Sequence, residues 1–191
     1  MPNSFVTVKK SSLKNGNPGR PNPKSSYVIL FKATDLATKP VIGADGITVA
    51  SALQFKTGAS AIEIYAIPGT IKPSEKSSGD PDKRGFIQSL EFEHPGGSLE
   101  ISAFSNNFVN EGFMAIVVYP DLAYDKLLGW PGNPLSLNIE TKDDEKEETN
   151  TLKFESIFAG NATLHYTCAS YPKTDQNSGS GLGFPYNKAK A

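Results

Sequence analysis

A chain of 191 residues fits one domain with terminal arms, or at most two very small domains. Hydrophobic residues are 38% of it, below the globular average, so an ordinary core is diluted by polar segments. A net charge of −1 singles out neither nucleic acid nor a membrane as partner, no apolar run is long enough to span a bilayer, and the single cysteine, Cys168, excludes an intrachain disulfide and suits a reducing compartment.

The first 24 residues hold Lys9, Lys10, Lys14, Arg20 and Lys24 and no acid, a charge of +5. Prolines and glycines punctuate this stretch and no apolar h-region is present, so residues 1–26 read as a basic flexible arm and a secretory signal is not expected. Its one apolar piece, Phe5 to Val8, could add as a strand to a partner's sheet edge. Residues 171–191 carry +2, which leaves −8 on the body, and basic arms on an acidic body suit self-assembly.

Order is expected from Tyr27. Tyr27 to Phe31 is a nearly continuous apolar run and predicts a core strand; residues 40–54 predict turns with one short strand; Ala61 to Ile67 alternates strictly and predicts another. Residues 68–85 hold three prolines, three glycines and mixed charges and predict a long polar loop. Lys72, Lys76, Lys83 and Arg84 in that loop, with Lys9, Lys10 and Arg20 in the arm, are the expected interface residues. A merely solvated insertion is the competing reading of the loop.

Phe86 to Glu93 alternates as a strand, ended by a turn at His94–Gly97. Leu99 to Ile101 could pair back as a hairpin. The spacing of Ile101, Phe104 and Phe108 instead predicts a helix over 98–110, capped by Ser98 and stopped by Gly112, with Asn106 and Asn107 opposite the apolar face. Phe113 to Tyr119 is the most apolar run and predicts a central strand. A rigid turn over 129–134 follows, then a strand over 135–141 and a charged hairpin tip over 142–148. Segments 151–158 and 162–169 alternate around Gly160-Asn161 and predict a hairpin; the Ser/Gly-rich residues 171–191 predict a flexible tail. The sum is a mostly-β domain over 27–170, an antiparallel β-sandwich or open barrel with one flanking α-helix.

No catalytic site, cofactor site or metal site is legible. His94 and His165 are the only histidines, and Cys168 lies three residues after His165, hence on the opposite face of a strand. Cys168 reads as a small buried hydrophobe. His94 with Glu91 or Glu93 falls short of a three- or four-ligand metal cluster. The pairs Glu91/Glu93 and Asp80/Asp82 have a spacing common on any wet strand or loop, so they carry little weight as glycosidase carboxylates. Trp130 reads as a packed turn anchor.

The order of arm, strands, polar loop, strand, helix and core strand resembles the major tail tube proteins of tailed phages and the inner tube proteins of contractile injection systems. The stretch from Phe86 to Tyr119 (FIQSLEFEHPGGSLEISAFSNNFVNEGFMAIVVY) carries most of the likeness. The resemblance implies a non-enzymatic virion protein, made in the host bacterial cytoplasm, that forms stacked hexameric rings around a lumen for DNA, with copies of itself and other virion proteins as partners and no membrane. A capsid decoration or head–tail connector protein is the alternative virion role. A sandwich binding carbohydrate or peptide through Trp130, Tyr124 and Tyr119 is the alternative from another class.

Overall fold

The computed structural model describes residues 22–145 and 147–172. The arm residues Lys9, Lys10 and Arg20, and the tail from 173, lie outside them. Among the described residues the chain forms ten strands, one helix and a short 3-10 turn over 33–35. No helix among them is long and apolar enough to cross a membrane.

The mostly-β class with one helix is as the sequence predicts. The strands are β1 (Tyr27–Lys32), β2 (Thr48–Val49), β3 (Ile62–Tyr65), β4 (Lys72–Ser78), β5 (Gly85–Pro95), β6 (Gly112–Val117), β7 (Asp125–Leu128), β8 (Leu135–Asp143), β9 (Glu148–Ser156) and β10 (Leu164–Tyr166). The helix α1 (Leu99–Phe108) follows its N-cap Ser98, whose hydroxyl accepts a bond from the Ile101 amide. Ile101 and Phe104 are buried, Phe108 is half-buried, and Asn106 and Asn107 face water.

β6 organises the sheet. Along one edge it pairs antiparallel with β1. Along the other, residues 115–117 face β7 and residues 112–113 face β8. β7 and β8 therefore lie end to end against one strand, and the turn over 129–134 loops out between them. Two glycines permit this close approach. A Cβ on Gly129, at φ +81°, would lie 2.8 Å from the Phe113 carbonyl oxygen, and one on Gly112 would lie 2.6 Å from the Pro134 ring. Gly112 thus serves packing; the helix predicted to stop there ends at Phe108.

From this junction one limb runs β8-β9-β5-β4 and the other runs through β7 and β10 to β2, while β3 extends the sheet beyond β1. The limbs fold over a core of Val28, Leu30, Phe113, Ala115, Leu90, Phe92, Leu152 and Phe154, closed by Ile101 and Phe104 of α1. A second core holds Ile29, Phe31, Met114, Ile116, Leu127 and Tyr166, covered by Leu36, Val49 and Ala61. β1 and β6 are buried on both faces, so they read as continuous apolar runs rather than alternations.

Three expectations need correction. The polar stretch 68–85 is not a loop: β4 pairs with β5 over seven residues, leaving 79–84 as the tip. Ile71 is buried, and the Thr70 hydroxyl accepts a bond from the Glu93 amide. β4 is an edge strand, where charge, serine and Pro73 are tolerated because only one side of the backbone is paired. Secondly, β9 and β10 do not form a hairpin. β9 lies between β8 and β5, and β10 between β7 and β2. Gly160 bridges to Phe86 instead, and the β10–β2 pair is parallel, so the sheet is mixed. Thirdly, His94 continues β5, and its Nδ1 lies 2.9 Å from the Tyr65 carbonyl oxygen.

Gln88 ties the limbs together. It is buried on β5; its Oε1 accepts from the Gly129 amide at 2.6 Å, and its Nε2 donates to the Asn161 carbonyl at 2.8 Å. Gln88→Leu removes both bonds and leaves the buried Gly129 amide unsatisfied, at about 1–3 kcal/mol. Urea unfolding should show a midpoint lowered by that free energy divided by an unchanged slope.

Asp125 makes a second buried tie. Its Oδ1 accepts from the Tyr119 amide at 2.9 Å, and its Oδ2 accepts from the Tyr171 hydroxyl at 2.6 Å. Burial, with Tyr124 and Asp125 nearby, pushes the Tyr119 phenol up to about 12. Burial also raises Tyr166, helped by Cys168, and raises Tyr171, helped by its bond to Asp125. The folded state holds these protons where the unfolded chain has released them. Stability is therefore full below the ordinary tyrosine pKa of about 10 and declines above it, toward pH 12 for Tyr119. On alkaline titration, phenolate absorbance from these three residues should rise together with loss of near-UV circular dichroism.

Candidate interaction surface

Four of the predicted interface cations, Lys72, Lys76, Lys83 and Arg84, lie on the β4–β5 hairpin. Lys72 stands at the start of β4 and pairs with Glu91 at 3.2 Å, both exposed. Lys76 is exposed further along, opposite Ile87. Lys83 and Arg84 close the hairpin beside Asp80 and Asp82, with Asp82 in the left-handed region at φ 68°. The structure brings Lys83 and Arg84 together at the tip and leaves Lys72 at the far end of the strand. Exposed pairs of this kind contribute little to stability.

At the far end of β8 and β9, Asp143 pairs with Glu148 at the charged tip. Lys142 bonds there to Asp144 and Glu147, which raise its pKa. The β8–β9 and β4–β5 tips point in opposite directions, because β5 runs antiparallel to β9.

Sequence reasoning missed a third feature. After Ser156 the chain leaves β9 and exposes Ile157 and Phe158, at 65% and 68% of their surface. Phe158 is presented on a fixed backbone. Asn133, from the 129–134 turn, donates to the Phe158 carbonyl at 2.6 Å and accepts from the Phe158 amide at 3.2 Å. Two residues on, Gly160 exchanges two backbone bonds with Phe86, itself an exposed aromatic. The available signal was a break in period: Leu152, Phe154 and Ser156 point inward, and two adjacent large apolar residues follow.

On another part of the surface a cleft of about 480 Å³ opens between α1, the end of β1 and the segment 56–60. Buried Leu30, Phe104 and Phe113 form its floor, with half-buried Phe108 beside them. Lys32, Asp35 and Lys56 stand at its mouth. Lys56 donates to the Thr34 carbonyl at 2.7 Å, and Lys32 lies 3.9 Å from Asp35.

The two histidines lie on different strands, His94 on β5 and His165 on β10. His165 stacks on Tyr124 with ring centres 3.8 Å apart. Burial and then Lys126 lower its pKa, while Asp45 and Glu75 oppose the shift. His94 lies on β5. Cys168 is half-buried against the second core, and Trp130 packs there too, held in its turn by reciprocal backbone bonds with Asn133. No group of three or more potential metal ligands occurs among the described residues. The chain matches no family model, no curated protein and no solved structure.

Asn133→Ala removes both bonds to Phe158 at an exposed site, so each lost bond should cost about 0.5–1.5 kcal/mol locally. Hydrogen exchange should speed up at Phe158 and spare the amides of β6.

Proposed function

We propose that this protein is a self-assembling structural subunit of a virion, a tail tube subunit that builds stacked rings. The observation that carries the reading is the pair Ile157–Phe158, two large apolar side chains held in water on a backbone that Asn133 fixes. Pre-organised apolar anchors of this kind suit a protein–protein interface, because little freedom remains to be lost on association. The polar edge strand β4 and its charged tip fit a surface that meets a neighbour through salt-sensitive contacts. The basic arm of residues 1–24 adds a segment whose charge is opposite to that of the body. The mostly-β fold with one helix agrees with what the tail tube resemblance implies.

Electron microscopy of the full-length protein over a range of concentrations tests the reading. Rings or filaments are expected. A chain that stays monomeric at every concentration is not a self-assembling subunit, and a closed dimer excludes the tube.

A further inference from the structure

We propose that the peptide bond between Asp80 and Pro81, at the tip of the β4–β5 hairpin, is a self-cleavage site, and that the two pieces it yields stay folded together. The chemistry needs no partner, so it holds whether or not the protein assembles.

This is the one place in the chain where an aspartate precedes a proline. The pair matters chemically. The proline nitrogen belongs to a tertiary amide and leaves as a basic secondary amine that takes up a proton readily. The aspartate carboxyl oxygen reaches its own main-chain carbonyl carbon by closing a small ring, so nucleophile and electrophile sit within one residue.

The tip holds the bond in a form suited to this attack. The Asp80 carbonyl oxygen accepts a bond from the Lys83 amide at 3.1 Å, which closes a turn over residues 80–83. Pro81 takes the second position and Asp82 the third, at φ 68°, as in a type II turn. The oxygen that gains negative charge when its carbonyl is attacked therefore has a donor already in place. The third position of such a turn favours glycine, so Asp82 holds its backbone under strain that a cut would release. Gly79 lets the turn close tightly: it stands at φ +112°, and a Cβ there would lie 2.5 Å from the Lys83 carbonyl oxygen. Residues 79–84 are all exposed, so water reaches the bond.

The step balances with water as the only co-reactant. A carboxyl oxygen of Asp80 bonds to the Asp80 carbonyl carbon, and the C–N bond to Pro81 breaks. The electron pair of that bond stays on the proline nitrogen, which takes the proton of the carboxyl group. The cyclic anhydride left on Asp80 adds one water and opens to two carboxyl groups, one on the side chain and one at the new C-terminus.

The fold spans the break. β1, β2 and β4 precede it, and their partners β6, β10 and β5 follow it, so three strand pairings cross from one piece to the other. Glu75 of β4 also accepts a bond from the Thr163 amide at 2.6 Å. The first core takes Val28 and Leu30 from one piece and Phe92 and Phe113 from the other. Lys83 and Arg84 in the same tip would suit a trypsin-like protease, but so short a tip between paired strands offers little extended chain to grip. A reaction within one residue needs none.

The test follows purified full-length protein in mildly acidic buffer in which circular dichroism shows it folded. Intact mass spectrometry after denaturation should find two products, residues 1–80 and 81–191, together one water heavier than the starting chain. On a native sizing column they should elute as one species. Asp80→Ala should give no products, and Pro81→Ala far less. The reference is a synthetic peptide of residues 76–87, which carries the bond without the fold. The protein should be cut about tenfold faster than the peptide, a small part of what a buried oxyanion donor supplies. No cut in the folded protein, or a rate no greater than the peptide's, overturns the proposal. So does a cut that persists in Asp80→Ala or falls after Lys83 or Arg84, which points to a protease. Products that separate on the native column overturn the claim that the pieces stay together.

Discussion

The fold depends on one strand satisfying its backbone along both edges and burying side chains on both faces. β6 pairs with β1 on one side and divides its other side between β7 and β8. Its side chains alternate between cores: Phe113, Ala115 and Val117 enter one, Met114 and Ile116 the other. A one-residue slip would exchange the two sets and break the pairing with three neighbours at once. The division of the sheet follows from the same place, where the 129–134 turn separates β7 from β8.

Buried polar side chains hold the divided sheet together where hydrophobic contact alone would leave it free to slide. Gln88 reaches from β5 to the turn and to the segment before β10. Asp125 joins the end of β6 to the segment after β10. Each buried group has directional partners, and no buried side-chain polar atom among the described residues lacks one. Directional bonds of this kind choose one packing among several that would bury similar apolar area.

The legible parts of the fold are those whose sequence signal is local. The doubly buried strands β1 and β6 show as apolar runs, and α1 shows in its cap and in the spacing of Ile101, Phe104 and Phe108. β4 was illegible because an edge strand under water needs no apolar face; its partner strand, not its composition, makes it a strand. The Gly160-Asn161 signal misled because both residues are engaged by distant partners, Phe86 and Gln88. The candidate surface was less legible still. The cleft floor gathers residues from β1, α1 and β6, and the exposed Ile157–Phe158 pair shows only as a doublet that breaks alternation. The cations expected at an interface are real surface features, but their charges are mixed with acids and the arm residues among them fall outside the described chain.

The parallel contact of β10 with β2 sets an order on synthesis. Thr48 and Val49 near the start of the described chain wait for His165 and Tyr166 near its end. Until those residues leave the ribosome, the second core lacks Leu164 and Tyr166, and the apolar faces of Ile29, Phe31 and Met114 stay partly uncovered. The first core draws on Phe154 at the latest, so it can close earlier. The first core can thus be complete while the second still lacks two of its members and exposes apolar surface.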